Sequence, residues 1–333
     1  MKEQSFEEKE LLAMISGIAG KVGLARGLRA AIGDDAAVFR PRSGMDLLLT
    51  TDAQVEGIHF RKDWLTPYEL GRKLAAVNLS DLAAMGGDPL FALLSLSLPP
   101  GTRRNYVKRL VEGVVDHLGE YDATLAGGNL SGSREGVAAD LTLVGECPKG
   151  SAWMRRCRPG RDAIVVVGDL GDARAGLEIL KSGLERRYPK LVRAFKRPEP
   201  LLEVARLLRR DPSIHGAMDV SDGFATDLVR LLDVQECGCV VDASRLPFSK
   251  ELERFCRERG VPLLDYVLGG GEDYALVLSV SRRQADKVAA RVERVTGIKA
   301  RVVGEFRPGN RRVLKTADGT TSLTARGWDH FAR

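Results

Sequence analysis

Several signatures that would settle a function quickly are missing from this chain. It carries neither G-x-x-x-x-G-K-[ST] nor G-x-G-x-x-G, so the common P-loop and the dinucleotide fingerprint are both absent and any phosphate site has to be built another way. Cysteine is scarce: Cys147, Cys157, Cys237, Cys239 and Cys256 form an odd set without a C-x-x-C pair. That set argues against a disulfide framework and suits a reducing compartment, with buried or idle thiols. Apolar runs are short, and stretches such as Ala163–Val167 reach strand length, far from the roughly 18 residues of a membrane helix. The first ten residues hold Glu3, Glu7, Glu8 and Glu10 and lack the basic and apolar regions of a secretory signal, so a cytoplasmic protein away from membranes is expected.

What is present is ordinary globular material. The 333 residues are 44% hydrophobic and 29% charged, enough apolar content for two packed cores. The net charge of +6 comes from Lys and Arg scattered over helical stretches such as 181–197 and 203–210. Those read as solvated faces, and without zinc-finger spacing or an aromatic RNP pattern no nucleic-acid partner is expected.

Periodicity and turn chemistry give a mixed α/β reading with mixed sheets. A short helix over 6–19 is followed by strands at Ala36–Phe39 and Asp46–Thr51. Thr66-Pro67-Tyr68-Glu69 is a capping-box pattern with Pro at the first helical position, and it opens a helix running to about Met85. Strand at Leu90–Leu98, helix at 103–119 and strands at Ala123–Ala126 and Val137–Glu146 complete a first domain, 1–148. Turn formers cluster from Cys147 to Gly160 and mark the boundary. A second α/β domain, 149–333, starts with strand Asp162–Gly168. Helical patterns at 172–181, 199–209, 222–232, 249–259 and 283–295 then alternate with strands near 237–242, 272–280 and 300–304.

The chemistry is suggested by where the acids sit. Asp34 and Asp35, Asp52, Asp81, and Asp219 with Asp222 each border an apolar element, and Asn78 and Asp81 are spaced to share a helical face. A lone Asp beside Gly is ordinarily a cap or turn residue. Repeated placement at element ends is instead the pattern of a site assembled from several loops. Carboxylates gathered in one cleft repel unless a hard cation neutralises them, and oxygen-only donors suit magnesium. Glycine pairs at Gly86-Gly87, Gly127-Gly128 and Gly269–Gly271 permit close backbone approach, as phosphate binding by main-chain N–H groups requires.

Taken together, Gly33-Asp34-Asp35-Ala36, Thr51-Asp52 with Glu56–Phe60, Ala76–Gly86 (AVNLSDLAAMG), Asp219–Gly223 (DVSDG), Gly270–Tyr274 (GGEDY) and Gly327–Phe331 (GWDHF) resemble thiamine-monophosphate kinase, in that family's order from about residue 30 to the end. The resemblance implies the two-domain architecture of aminoimidazole ribonucleotide synthetase. Its N-terminal domain would bind ATP and magnesium and form a homodimer, and its C-terminal domain would complete the nucleotide and substrate site. It also implies several magnesium ions and ATP-dependent phosphorylation of thiamine monophosphate by direct in-line transfer, with no covalent nucleophile. Asp35, Thr50, Thr51, Asp52, Asp81, Asn129, Asp219 and Asp222 correspond to magnesium ligands, and Gly128, Asn129, Ser221 and one of Arg155 and Arg156 to ATP contacts. His59, Glu272 and Trp328 correspond to the substrate side, the last suited to stacking on a cationic heterocycle. One departure stands out, because the family commonly has Gly-Gly-Asp where this chain has Gly127-Gly128-Asn129. Weaker binding of one ion is expected. Alternatives are a selenophosphate synthetase-like or hydrogenase maturation-like enzyme of the same superfamily, or a silent nucleotide binder.

Overall fold

A computed structural model describes residues 8–328; Phe6, Asp329, His330 and Phe331 lie outside the described residues. The chain divides into two compact units. Unit 1 comprises the residues up to Leu82 together with Gly87–Ala152, and unit 2 comprises Ala83–Gly86 and the residues from Trp153 onward.

Unit 1 opens with α1 (Glu8–Ala19) and a small hairpin of β1 (Leu28–Ala30) and β2 (Val38–Phe39). There follow β3 (Met45–Val55), α2 (Pro67–Ala84), β4 (Asp88–Leu98), α3 (Arg104–Gly119), β5 (Thr124–Gly132) and β6 (Ala138–Pro148). The capping box at the start of α2 forms as the pattern predicts. The Thr66 N–H donates to Glu69 Oε2 at 3.0 Å and the Glu69 N–H to Thr66 Oγ1 at 3.2 Å. The four strands order as β3-β6-β4-β5, antiparallel except for the parallel pair β4 and β5. Leu48, Leu94, Leu96, Leu141 and Leu143 are buried on one sheet face. The hairpin covers part of the other face, where Phe39 meets Phe91 with ring centroids 5.1 Å apart.

Unit 2 runs β7 (Asp162–Val167), α4 (Asp172–Ser182), α5 (Pro189–Lys196), α6 (Leu202–Leu208), β8 (Ile214–Asp219), α7 (Phe224–Val234) and β9 (Gly238–Asp242). It continues with α8 (Lys250–Arg259), α9 (Leu263–Gly269), β10 (Leu276–Ser281), α10 (Ala285–Thr296), β11 (Ala300–Arg307), β12 (Arg312–Thr316) and β13 (Gly319–Ser322). Its seven-stranded sheet orders as β13-β12-β9-β11-β7-β10-β8 and is mixed, because β12 runs parallel to β9. Every residue of β7 is buried, as a central strand covered on both faces requires. The expected helix over 181–197 is two helices, since α4 stops at Ser182 before a left-handed Gly183 and α5 begins afresh at Pro189. The strand expected from residue 272 begins at Leu276, because residues 270–275 form a loop with Glu272 and Tyr274 at positive φ.

Candidate active site

In unit 1 the alternation of β3 sorts the three consecutive candidates. Leu48 and Thr50 point to the face covered by α2, where the Thr50 hydroxyl donates to Oδ2 of Asp81, and Asp52 shares that face. Thr51 points the other way and accepts a hydrogen bond from Thr142 at 3.2 Å. One ion held by side chains cannot take all three. Asn78 is fully buried one turn before Asp81; its Nδ2 donates to Leu74 O at 2.9 Å, and its Oδ1 has no partner. Asp35 is exposed in the loop between β1 and β2. His59 accepts the Val55 N–H on Nδ1 at 3.1 Å, which leaves Nε2 to carry the proton of the neutral ring.

Gly128 is held to glycine by packing as well as by any ligand, because at φ +154° a Cβ would fall 1.8 Å from Leu94 O. Asn129 is exposed and pairs with Ser95, on the same sheet face as the Ser97–Ser131 hydroxyl pair. Alternation therefore separates its side chain from Thr50 and Asp52, which face α2, and from Asp81 on that helix.

Unit 2 does bring its candidates together. The turn from β8 into α7 holds Asp219, Ser221 and Asp222, and two later segments are fastened to it through the main chain. The Glu272 N–H donates to Ser221 O at 2.7 Å, the Tyr274 N–H to Val220 O at 2.9 Å, and the Trp328 N–H to Asp222 O at 3.0 Å. Gly327 makes the last contact possible, since a Cβ there would sit 1.9 Å from Asp222 O. Trp328 is 53% exposed.

Sequence reasoning missed what holds this turn. The buried Asp227 carboxylate accepts the N–H groups of Ser221, Asp222 and Gly223 at 3.0, 2.9 and 3.1 Å. Burial raises its pKa even though the N–H donors pull the other way. Arg230 bonds Asp222 and lies 3.1 Å from Asp227, and its own pKa is raised chiefly by the bond to Asp222. The signal available in the sequence was an acid on the apolar first turn of α7. Asp273, inside the Gly-Gly-Glu-Asp-Tyr motif, points away from the turn and accepts the N–H groups of Gly171 and Ala173 at 2.6 and 3.0 Å, at the start of α4. Burial pushes its carboxyl well above the ordinary range.

Arg155 and Arg156 are both exposed, on a segment tied to β8 by the bond from Ala217 N–H to Met154 O at 3.1 Å. No hydrogen bond among the described residues selects one of them.

Among the described residues no three acidic, histidine or cysteine side chains are close enough to hold a metal ion by themselves. The donors that are present are oxygens in ones and twos: Asp52 and Asp81 beside the Thr50 hydroxyl, and Asp219 and Asp222 at one turn, where the Arg230 guanidinium already supplies positive charge. That donor set fits magnesium, which keeps waters and takes one or two carboxylates plus substrate phosphates.

Residues 33–147 match the family described as AIR synthase related protein, N-terminal domain, and residues 159–316 match its C-terminal domain. The chain is 34% identical over 307 residues to the thiamine-monophosphate kinase of Escherichia coli strain K12, covering 90% of this chain and 91% of that protein. It is 30% identical over 311 residues to that of Bacillus subtilis strain 168, covering 90% and 93%. This chain belongs to the thiamine-monophosphate kinase family. The crystal structure of thiamine-monophosphate kinase from Stenotrophomonas maltophilia K279a superimposes with a TM-score of 0.82 at 30% identity, over 94% of this chain and 97% of that one. AaThiL complexed with AMPPCP and TMP superimposes with a TM-score of 0.77 at 30% identity, over 98% and 99%. The E. coli hydrogenase maturation protein HypE shares the fold, with a TM-score of 0.79 at 19% identity.

Proposed function

We propose that this protein transfers the γ-phosphoryl group of ATP directly to the phosphate of thiamine monophosphate, giving thiamine diphosphate. The observation that carries this reading is the unit 2 turn that follows Asp219, where the candidate ligand Asp222 and the ATP-contacting Ser221 are fastened to the substrate-side Trp328 and Glu272 by main-chain hydrogen bonds. The acceptor is already anionic at neutral pH, so no strong base is needed and the work is alignment and charge cancellation. Magnesium, when bound, would supply the positive charge that offsets the phosphate oxygens. Thr50, Asp52 and Asp81 would hold magnesium in unit 1, and Asp219 and Asp222 would hold it in unit 2. Asp35, Asn129 and Thr51, whose side chain faces the other way from Thr50, would serve further ions. In unit 1 Gly128 and Asn129 would contact nucleotide, and in unit 2 Ser221 and one of Arg155 and Arg156 would do so. His59 lies on the substrate-phosphate side, Glu272 lines the substrate, and Trp328 stacks on the cationic heterocycle.

Membership of the family supports ATP and thiamine monophosphate as the ligands and a cytoplasmic setting. No helix among the described residues is long and apolar enough to cross a membrane. A homodimer is part of the same reading. Leu47, Leu49 and Leu93 are exposed on the unit 1 sheet face opposite α2, and a second copy covering that face would remove their apolar surface from water. Sedimentation of the purified protein tests this, and a monomer at micromolar concentration refutes it.

The first experiment incubates the protein with ATP, magnesium and thiamine monophosphate and follows thiamine diphosphate by chromatography, with Asp81→Asn as control. Product from the parent and its near-absence from the variant are expected. ATP binding without thiamine diphosphate would retain the fold and reject the substrate.

A further inference from the structure

We propose that Cys157 and Cys237 are an oxidisable pair whose closure to a disulfide staples the Arg155–Arg156 segment to the far end of helix α7. The two sulfurs lie 3.5 Å apart although 80 residues separate them in sequence, and both are free thiols. A bond of about 2.05 Å requires the sulfurs to close by roughly 1.5 Å, within reach of side-chain rotation.

The location gives closure a consequence. Cys157 directly follows Arg156, and its N–H donates to Gln235 Oε1 at 3.4 Å, just beyond the end of α7. The same segment is bound to β8 through Met154 O, and β8 ends at Asp219. α7 begins immediately after Gly223, on the turn that Asp227 holds. A covalent staple would therefore fix the arginine segment against the helix that carries the aspartate turn.

With a peroxide as oxidant the step balances. A thiolate at the partly exposed Cys157 attacks one peroxide oxygen, the O–O bond breaks, and the released hydroxide is protonated to water. The Cys237 sulfur then displaces the hydroxyl of the sulfenic acid as a second water. Two thiol protons and two electrons pass to the peroxide. Burial raises the pKa of both thiols, so closure is slow at neutral pH and accelerates as pH rises.

The test treats the full chain with graded hydrogen peroxide at pH 7 and pH 9, blocks remaining thiols, and maps peptides by mass spectrometry. Expected are a Cys157–Cys237 cross-link that forms faster at pH 9 and reverses with dithiothreitol, a melting temperature several degrees higher, and at least a threefold fall in turnover. Cys157→Ser and Cys237→Ser should each keep the turnover of the reduced parent and lose the peroxide response. Oxidation of Cys157 to sulfinic acid with Cys237 still free would overturn the proposal, as would a cross-link that changes neither melting nor turnover. The turnover arm rests on the kinase reading, whereas the cross-link and melting shift do not, so the two failures can be told apart.

Discussion

Thr50 on β3 donates a hydrogen bond from its hydroxyl to the Asp81 carboxylate on α2, which fixes one carboxylate of unit 1 in place before any ligand arrives. A positioned carboxylate loses less freedom on meeting a cation than a mobile one. Thr50→Val keeps the shape and removes the donor. The expected outcome is about a tenfold rise in the magnesium concentration for half-maximal turnover, the size of one charge-assisted hydrogen bond. Thr50→Ser should restore the parent value. Direct titration with manganese, followed by its paramagnetic signal, checks the same shift without turnover, and equal affinities in Thr50→Val and the parent would refute the role.

Asp227 is expected to be as necessary as the residues the turn displays. Its carboxylate takes three consecutive N–H groups, and removing it leaves those donors to water or to nothing. Asp227→Ala should destabilise the protein by roughly 2 kcal/mol in urea unfolding and lower turnover at least a hundredfold, because Ser221 and Asp222 lose their fixed positions. Asp227→Asn keeps an acceptor oxygen and should fall between. A variant with Ala at this position and parental turnover would show that the turn holds itself.

How much of this was legible in the sequence depended on whether the physical signal was local. The Thr66–Glu69 box, the long α2 and the mixed sheets could be read because a cap, a 3.6-residue period or a run of apolar residues is written within a few positions. Asp219, Ser221 and Asp222 were legible as a strand-to-helix turn for the same reason. The roles of Asp227 and Asp273 were not, beyond an acid on an apolar first turn and a place in a motif, because their partners are main-chain N–H groups, which leave no residue type to recognise. The opposite orientation of Thr51 and Thr50 follows from strand alternation, yet the resemblance grouped them by adjacency. Cys157 and Cys237 are brought into contact by the packing of unit 2, and a spacing of 80 residues carries no trace of it.

Gly128 and Asn129 are neighbours with different constraints, and substitution should separate them. Gly128→Ala drives a Cβ into the Leu94 carbonyl and forces β4 and β5 apart, at a cost of about 3 kcal/mol. It should lower the melting temperature whatever ligand is present. Asn129→Asp disturbs no packing, since the side chain is exposed, and adds a negative charge. Its melting temperature should match the parent's, and its turnover should reach half-maximum at a several-fold lower magnesium concentration. Superimposable magnesium curves would remove Asn129 from the ion site.

The start of α4 makes stability fall with pH in a window set by Asp172. Its carboxyl is pushed up to about 7, chiefly by burial, and the Ser249 hydroxyl donates to it at 2.8 Å. In the unfolded chain the same group titrates near 3.8, so between roughly pH 4 and pH 7 the folded protein keeps a proton that the unfolded chain has released. Stability is therefore greatest below that window, declines as pH rises through it, and levels off above about 7. Asp273 moves in the same direction, so some slope persists without Asp172. Asp172→Asn retains an acceptor for Ser249 and cannot ionise. Its urea midpoint should change less than the parent's between pH 4.5 and 7.5 and exceed the parent's at pH 7.5. Parallel midpoint curves for the two proteins would mean that Asp172 is ionised in the folded state at neutral pH, with its burial compensated by another group.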